Sequence, residues 1–275
     1  MELNDLEHSN DLPQVKTVAD PNDPPWSFGI ATLVWLASLA AIIFIPGIIL
    51  TPYILTSGVD LADNKALGDF AMSDQTAILI QIAGVIPAHL LTLLIAWFVV
   101  TGAGKRPFFA SLGWSNAGVK WWHYILMLLG FMIVSMLFIS IFPLQPDQMD
   151  TMIKSSRNAL YLISFMAVVT APLVEEVVYR GVMYSAFQRT IGMAAAVVLV
   201  SLLFTSVHIP QYFENPAKIL VIFTLSIGLT LLRGLTGSLL PSVIFHTLIN
   251  GTQSALSIAE PYINPTAEAI NNLPK

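Results

Sequence analysis

Seven stretches of this sequence contain no Asp, Glu, Lys or Arg: residues 24–59, 75–104, 121–146, 158–174, 190–213, 219–232 and 234–259. A helix that crosses a bilayer needs about 20 consecutive, mostly apolar residues, and most of these stretches are long enough. Charged residues make up 11% of the chain, against about 25% in soluble domains. The expected fold is therefore all-α, a polytopic transmembrane helix bundle. About seven spans are expected, near residues 28–50, 76–101, 121–142, 160–187, 191–209, 218–233 and 238–257. Prolines 46, 87, 172 and 241 fall within or near them, as membrane helices tolerate when neighbouring groups satisfy the freed backbone.

The expected organisation is a polar N-terminal tail (1–27), a membrane domain (28–257) and a polar C-terminal tail (258–275). The N-terminal residues lack the basic region and short apolar core of a cleavable signal. They read as a flexible tail, with "DPNDPPW" before the first span. The net charge of −5 offers no basic patch for nucleic acid. With no cysteine, disulfides, thiol nucleophiles and cysteine-bound metals are excluded. The segment "GKRPFFASLGW" (104–114) reads as an aromatic and basic anchor at the membrane interface. Lys and Arg divide six against five between the two sides of a seven-span chain, which sets no orientation.

Against this background "APLVEEVVYRGV" (171–182) stands out, because it places Glu175, Glu176 and Arg180 inside the fourth span. Ionisable groups in a membrane helix are costly and mark function by default. Glu176 and Arg180 are four residues apart, so they share a helix face and can pair. Glu175 is turned about 100° away and has no partner within its own helix. An unpaired carboxylate in an apolar setting suits a general base.

Two later spans carry polar pairs at the same spacing. "LLFTSVHIPQY" sets Phe204 four residues before His208, and "PSVIFHTLINGTQ" sets His246 four before Asn250. Measured from the turn near residue 190 at about 1.5 Å per residue, Glu175 and His208 reach similar depth. His89 and His123 read as hydrogen-bonded packing residues. The cluster fits peptide hydrolysis in two ways. Glu175 and His208 can hold and deprotonate a water while His246 and Asn250 donate to the oxyanion. Alternatively, Glu175, His208 and His246 can ligate one divalent ion such as zinc, with a water in the open position. The residues alone do not choose.

Glu175-Glu176-x-x-x-Arg180, Phe204-x-x-x-His208 and His246-x-x-x-Asn250 together resemble the three motifs of the CPBP family. These are intramembrane proteases related to the CAAX prenyl endopeptidase and to bacteriocin-immunity (Abi) proteins. The resemblance covers about residues 159–257, and "FFASLGW" resembles a segment upstream of that core. It implies an all-helical fold with a conical cavity open to cytoplasm and bilayer. It implies that Glu175 and His208 activate water, supported by Glu176 and Arg180, with His246 and Asn250 at the oxyanion. The family is described as metalloprotease, although a metal-free glutamate-and-histidine mechanism is also argued for it. The implied partners are membrane lipid and a protein or peptide substrate, prenylated in the eukaryotic relatives. The implied location is a multi-pass protein of the cell membrane. No H-E-x-x-H, G-x-G-D or G-x-S-G site is present. The competing readings are a non-catalytic scaffold or immunity protein, and a proton-coupled transporter, against which the absence of an internal repeat counts.

Overall fold

The computed structural model describes residues 18–263 of the chain, which form eleven helices and no strand. They are α1 (Phe28–Ser57), α2 (Asn64–Ser73), α3 (Gln75–Thr101), α4 (Phe108–Ser111), α5 (Trp121–Ile141), α6 (Gln148–Ser155), α7 (Arg157–Ile191), α8 (Met193–Ser206), α9 (Ile209–Tyr212), α10 (Pro216–Thr236) and α11 (Leu240–Ile263). The protein is an all-α, multi-pass membrane bundle.

Five helices, α1, α3, α5, α7 and α10, are long and apolar enough to cross a membrane, fewer than the seven expected. The other two expected spans are helical but differ. At 14 residues, α8 is about 21 Å long, short of a hydrocarbon core of about 30 Å. The helix ends at Ser206, so His208 lies just beyond it, at the N-cap of α9. In α11 the helix passes residue 257 and continues to Ile263, so the residues up to Ile263 are helix rather than tail. Residues 264–275 and 1–17 lie outside the described residues.

Helix ends follow local chemistry. Ser27, Asp63 and Asp74 cap α1, α2 and α3 by accepting backbone N–H groups. Gly58, Gly102 and Gly237 take the left-handed conformation that ends α1, α3 and α10. His123 Nδ1 accepts from the Lys120 N–H at 2.9 Å and so caps α5, a structural role as expected.

α7 is the central element. Every residue from Glu176 to Phe187 is buried. Val177, Val178, Val182, Met183, Tyr184 and Phe187 pack against α1, α3, α8 and Leu112. At the α1–α3 contact a Cβ on Gly84 would lie 2.8 Å from Pro46 Cα, so only glycine permits this approach. The outer helices are apolar toward lipid: Tyr124 is the one buried residue of α5, while Leu126, Leu129, Ile133, Met136 and Leu137 are exposed. Such broad apolar exposure marks a surface that faces membrane.

The connections gather on two faces. On one, α6 touches α2 and α9, and Lys218 at the start of α10 pairs with Asp147 (2.5 Å) and Asp150 (3.3 Å) before and within α6. On the other lie residues 18–26, the α3–α5 connection and the α7–α8 and α10–α11 turns. There "FFASLGW" is more than a surface anchor. Phe109 is exposed, yet Ser111 and Leu112 are buried and the Gly113 carbonyl accepts the Leu239 N–H at 2.8 Å.

Candidate active site

The helix that carries the two glutamates is not a regular α-helix. Met166–Thr170 and Glu176–Tyr184 are π-helical, on either side of a short α stretch, Ala171–Glu175. π turns are rare and concentrate at functional sites. Pro172 gives a local cause for the first: it has no N–H for the Val168 carbonyl, and in an α-helix its ring would collide with that carbonyl. The wider turn relieves the collision, and the Ala171 N–H bonds back to the Met166 carbonyl instead. Side chains from two other helices hold this turn. Asn250 Nδ2 donates to the Ala167 carbonyl at 2.8 Å, and His89 Nδ1 lies 3.0 Å from Thr170 Oγ1.

Glu176 and Arg180 pair as expected, at 2.8 Å, and both side chains are fully buried. Arg180 is also held by α10: its Nη2 donates to Ser226 Oγ (2.7 Å) and the Ser226 carbonyl (3.2 Å), and its Nε to Thr230 Oγ1 (3.2 Å). Ser226 and Thr230 were missed in the sequence reading. Their spacing of four in an otherwise apolar span was the available signal.

The same Glu176 oxygen that meets Arg180 also lies 2.8 Å from His246 Nδ1. His246 is buried, and its Nε2 lies 3.6 Å from Glu175 Oε2. Glu175 is the accessible carboxylate, with its side chain 25% exposed. A continuous chain therefore runs Arg180–Glu176–His246–Glu175, from the buried interior to an open end. The group beside Glu175 comes from another helix, His246 of α11.

His208 is placed differently. Its Nδ1 lies 2.8 Å from the Phe204 carbonyl, and among the described residues it makes no direct hydrogen bond or ion pair with Glu175. Phe204 connects it to the cluster: the Phe204 ring lies 4.8 Å from the His208 ring, 6.2 Å from the His246 ring and 4.6 Å from the Arg180 guanidinium. Tyr179 stacks edge-on against Phe204 and accepts a hydrogen bond from Trp35. Tyr212 of α9 guards the same side. Burial pushes its hydroxyl up to about 12, and the carboxylates of Asp147, Asp150 and Glu175 push the same way.

As a metal site the residues do not fit. Among the described residues no three His, Asp or Glu side chains converge as ligands.

Residues 157–252 match the family model described as type II CAAX prenyl endopeptidase Rce1-like. The match covers about a third of the chain and makes this segment similar to the CAAX intramembrane proteases. All six candidate residues fall within it, while α1–α6 and the N-terminal segment lie outside. No curated protein and no solved structure matches the chain.

Proposed function

We propose that this protein is an intramembrane endopeptidase that hydrolyses a peptide bond in a membrane-embedded or lipidated protein. The observation that carries the reading is the Arg180–Glu176–His246–Glu175 chain ending on a partly open carboxylate. Glu175 acts as general base. It takes a proton from a water, the hydroxide attacks the scissile carbonyl carbon, and the carbonyl oxygen becomes the oxyanion. When the C–N bond breaks, the proton held by Glu175 passes to the leaving amine. Glu176, anchored by Arg180, fixes the imidazole of His246, as a buried carboxylate orients histidine in hydrolytic triads. With Nδ1 turned to Glu176, His246 donates to the oxyanion through Nε2 when it carries both protons. Asn250 has a second amide hydrogen beyond the one given to Ala167, which suits it to the same task. His208 borders the water on the side of α9.

A lipidated substrate is supported by an apolar groove of about 480 Å³, lined by Leu90, Leu93, Leu94 and Trp97 of α3, Phe108 and Phe109 of α4, and Leu173 of α7. Leu173 sets one wall of the groove on α7, the helix that carries Glu175. The proposed setting is the cell membrane.

The test is mass spectrometry of membrane-protein termini in wild-type, deletion and Glu175→Gln cells. Glu175→Gln keeps the side-chain shape and removes the base, so cleavage is expected to fall by about 10²- to 10⁴-fold. Termini lost in both altered strains support the protease. A deletion phenotype that Glu175→Gln rescues, with unchanged termini, overturns it in favour of a scaffold.

A further inference from the structure

The ten residues before α1 are fastened to the catalytic-family segment rather than trailing from it. Ala19 and Trp26 are buried. A tight turn closes where the Asp23 N–H bonds to the Asp20 carbonyl and the Asn22 N–H to Asp20 Oδ1. Three regions then grip this turn. Ser111, the last residue of α4, accepts from the Ala19 N–H at 3.4 Å. At the end of α7, Gln188 donates to Asn22, while Arg189 donates to the Pro24 and Trp26 carbonyls and pairs with Asp23 at 3.3 Å. From α10, Arg233 Nη1 donates to Asn22 Oδ1 at 2.9 Å and Nη2 to the Pro21 carbonyl at 2.6 Å.

Two of these contacts reach the interior. Arg233 is fully buried, and its hydrogen bonds go to neutral oxygens of the segment while its guanidinium stacks 5.7 Å from the Tyr184 ring. A buried cation must be solvated by protein groups, and the N-terminal segment supplies them. The second contact is Trp26 Nε1 to the Val182 carbonyl, at 2.9 Å. Val182 lies near the end of the π-helical stretch Glu176–Tyr184. At that seam the ladder changes from five-residue to four-residue bonding, and the Val182 carbonyl bonds instead to the Ser185 N–H, the Ser185 hydroxyl and the Trp26 indole.

We propose that residues 19–26 are a strap, and that Trp26 is a positioning residue that holds α7 in its π-helical register. The register matters because adding or removing one residue in a turn rotates everything beyond it by about 100°. Glu175 precedes the wide stretch, Glu176 opens it and Arg180 lies within it. A shift of register there separates the Glu176–Arg180–Ser226 contacts from the Glu176–His246 contact. The effect on turnover rests on the protease reading. The effect on α7 does not.

The test compares wild-type and Trp26→Phe full-length protein in lipid, by hydrogen exchange of the 176–184 amides. The phenylalanine keeps an aromatic ring and loses the donor. Exchange across 176–184 is expected to rise about tenfold. It should return to wild type when the strap is tethered by a short bismaleimide between Asp23→Cys and Arg189→Cys, two exposed positions whose side chains meet, which a cysteine-free chain permits. Should Trp26→Phe fail to fold, Asn22→Ala loosens the strap from Arg233 and is read in the same way. Faster exchange confined to residues 18–30, with 176–184 as protected as in wild type, overturns the proposal. With a cleavable substrate, kcat is expected to fall at unchanged KM and to recover on tethering. Absence of cleavage by the wild-type protein counts against the protease and leaves the exchange result to decide the strap.

Discussion

Glu176 is the residue on which the cluster depends. One of its oxygens meets both Arg180 and His246, and the other is buried with no hydrogen-bond partner among the described residues. The carboxylate is tolerable there because a guanidinium fixed by Ser226 and Thr230 compensates it. Arg180→Ala removes that compensation and strands a buried charge. The expected loss is about 3–5 kcal/mol of stability, read as thermal unfolding in detergent. Equal stability of variant and wild type would show that Glu176 is satisfied by His246 alone. The Glu176–Arg180 pair was legible in the sequence because both residues lie on one helix, four apart. The Glu176–His246 contact was not legible. It spans 70 residues, and nothing within either helix specifies which of two adjacent glutamates faces α11.

At the scale of elements, the irregular helix α7 and its neighbour α10 form the working unit. The sequence marked α7 by its charges and Pro172, but not by its two π-helical stretches. A π turn differs from an α turn by a fraction of a residue, and beyond the local push of Pro172 its support comes from outside: from Asn250, His89 and Trp26. The support from α10 is similarly quiet in the sequence, two small hydroxyls among apolar residues. Ser226→Ala should leave α10 helical while removing the shortest of the Arg180 contacts. The expected cost is about 1–3 kcal/mol, the range for leaving a buried donor short of its acceptor. Thr230→Ala should cost less, because its bond to Arg180 is longer, 3.2 Å against 2.7 Å. Paired unfolding measurements check that order. The short helix α8 has a related consequence. Because it ends at Ser206, His208 occupies a turn at the mouth of the site and not the wall of a span.

For the molecule as a whole, the site lies between two fastened faces. The strap closes one. On the other, Asn215 is buried and joins separate loops: its side chain accepts from the Gln145 N–H (2.7 Å) and donates to the Gln145 carbonyl (2.9 Å) and to Asp147 Oδ2 (2.9 Å). Asp147 in turn meets Lys218. Asn215→Ala leaves buried partners unsatisfied and should cost about 1–3 kcal/mol, with faster proteolysis of the 143–150 connection as the local readout. An unchanged cleavage pattern there would mean that the Lys218 ion pairs alone hold the two loops.

The sequence by itself determined the membrane bundle, the approximate place of each helix and the identity of the polar groups. Those features follow from runs of apolar residues and from spacing within one helix, both local properties. Five helices rather than seven meet the length and hydropathy needed to cross, since that depends on where each helix stops. Tertiary structure alone decided that His246 lies between the two glutamates, that α7 widens at two places, and that residues 19–26 are a strap and not a loose tail. Each of these is a choice between near-equal local conformations, made by groups distant in sequence that need a hydrogen-bond partner where water is excluded.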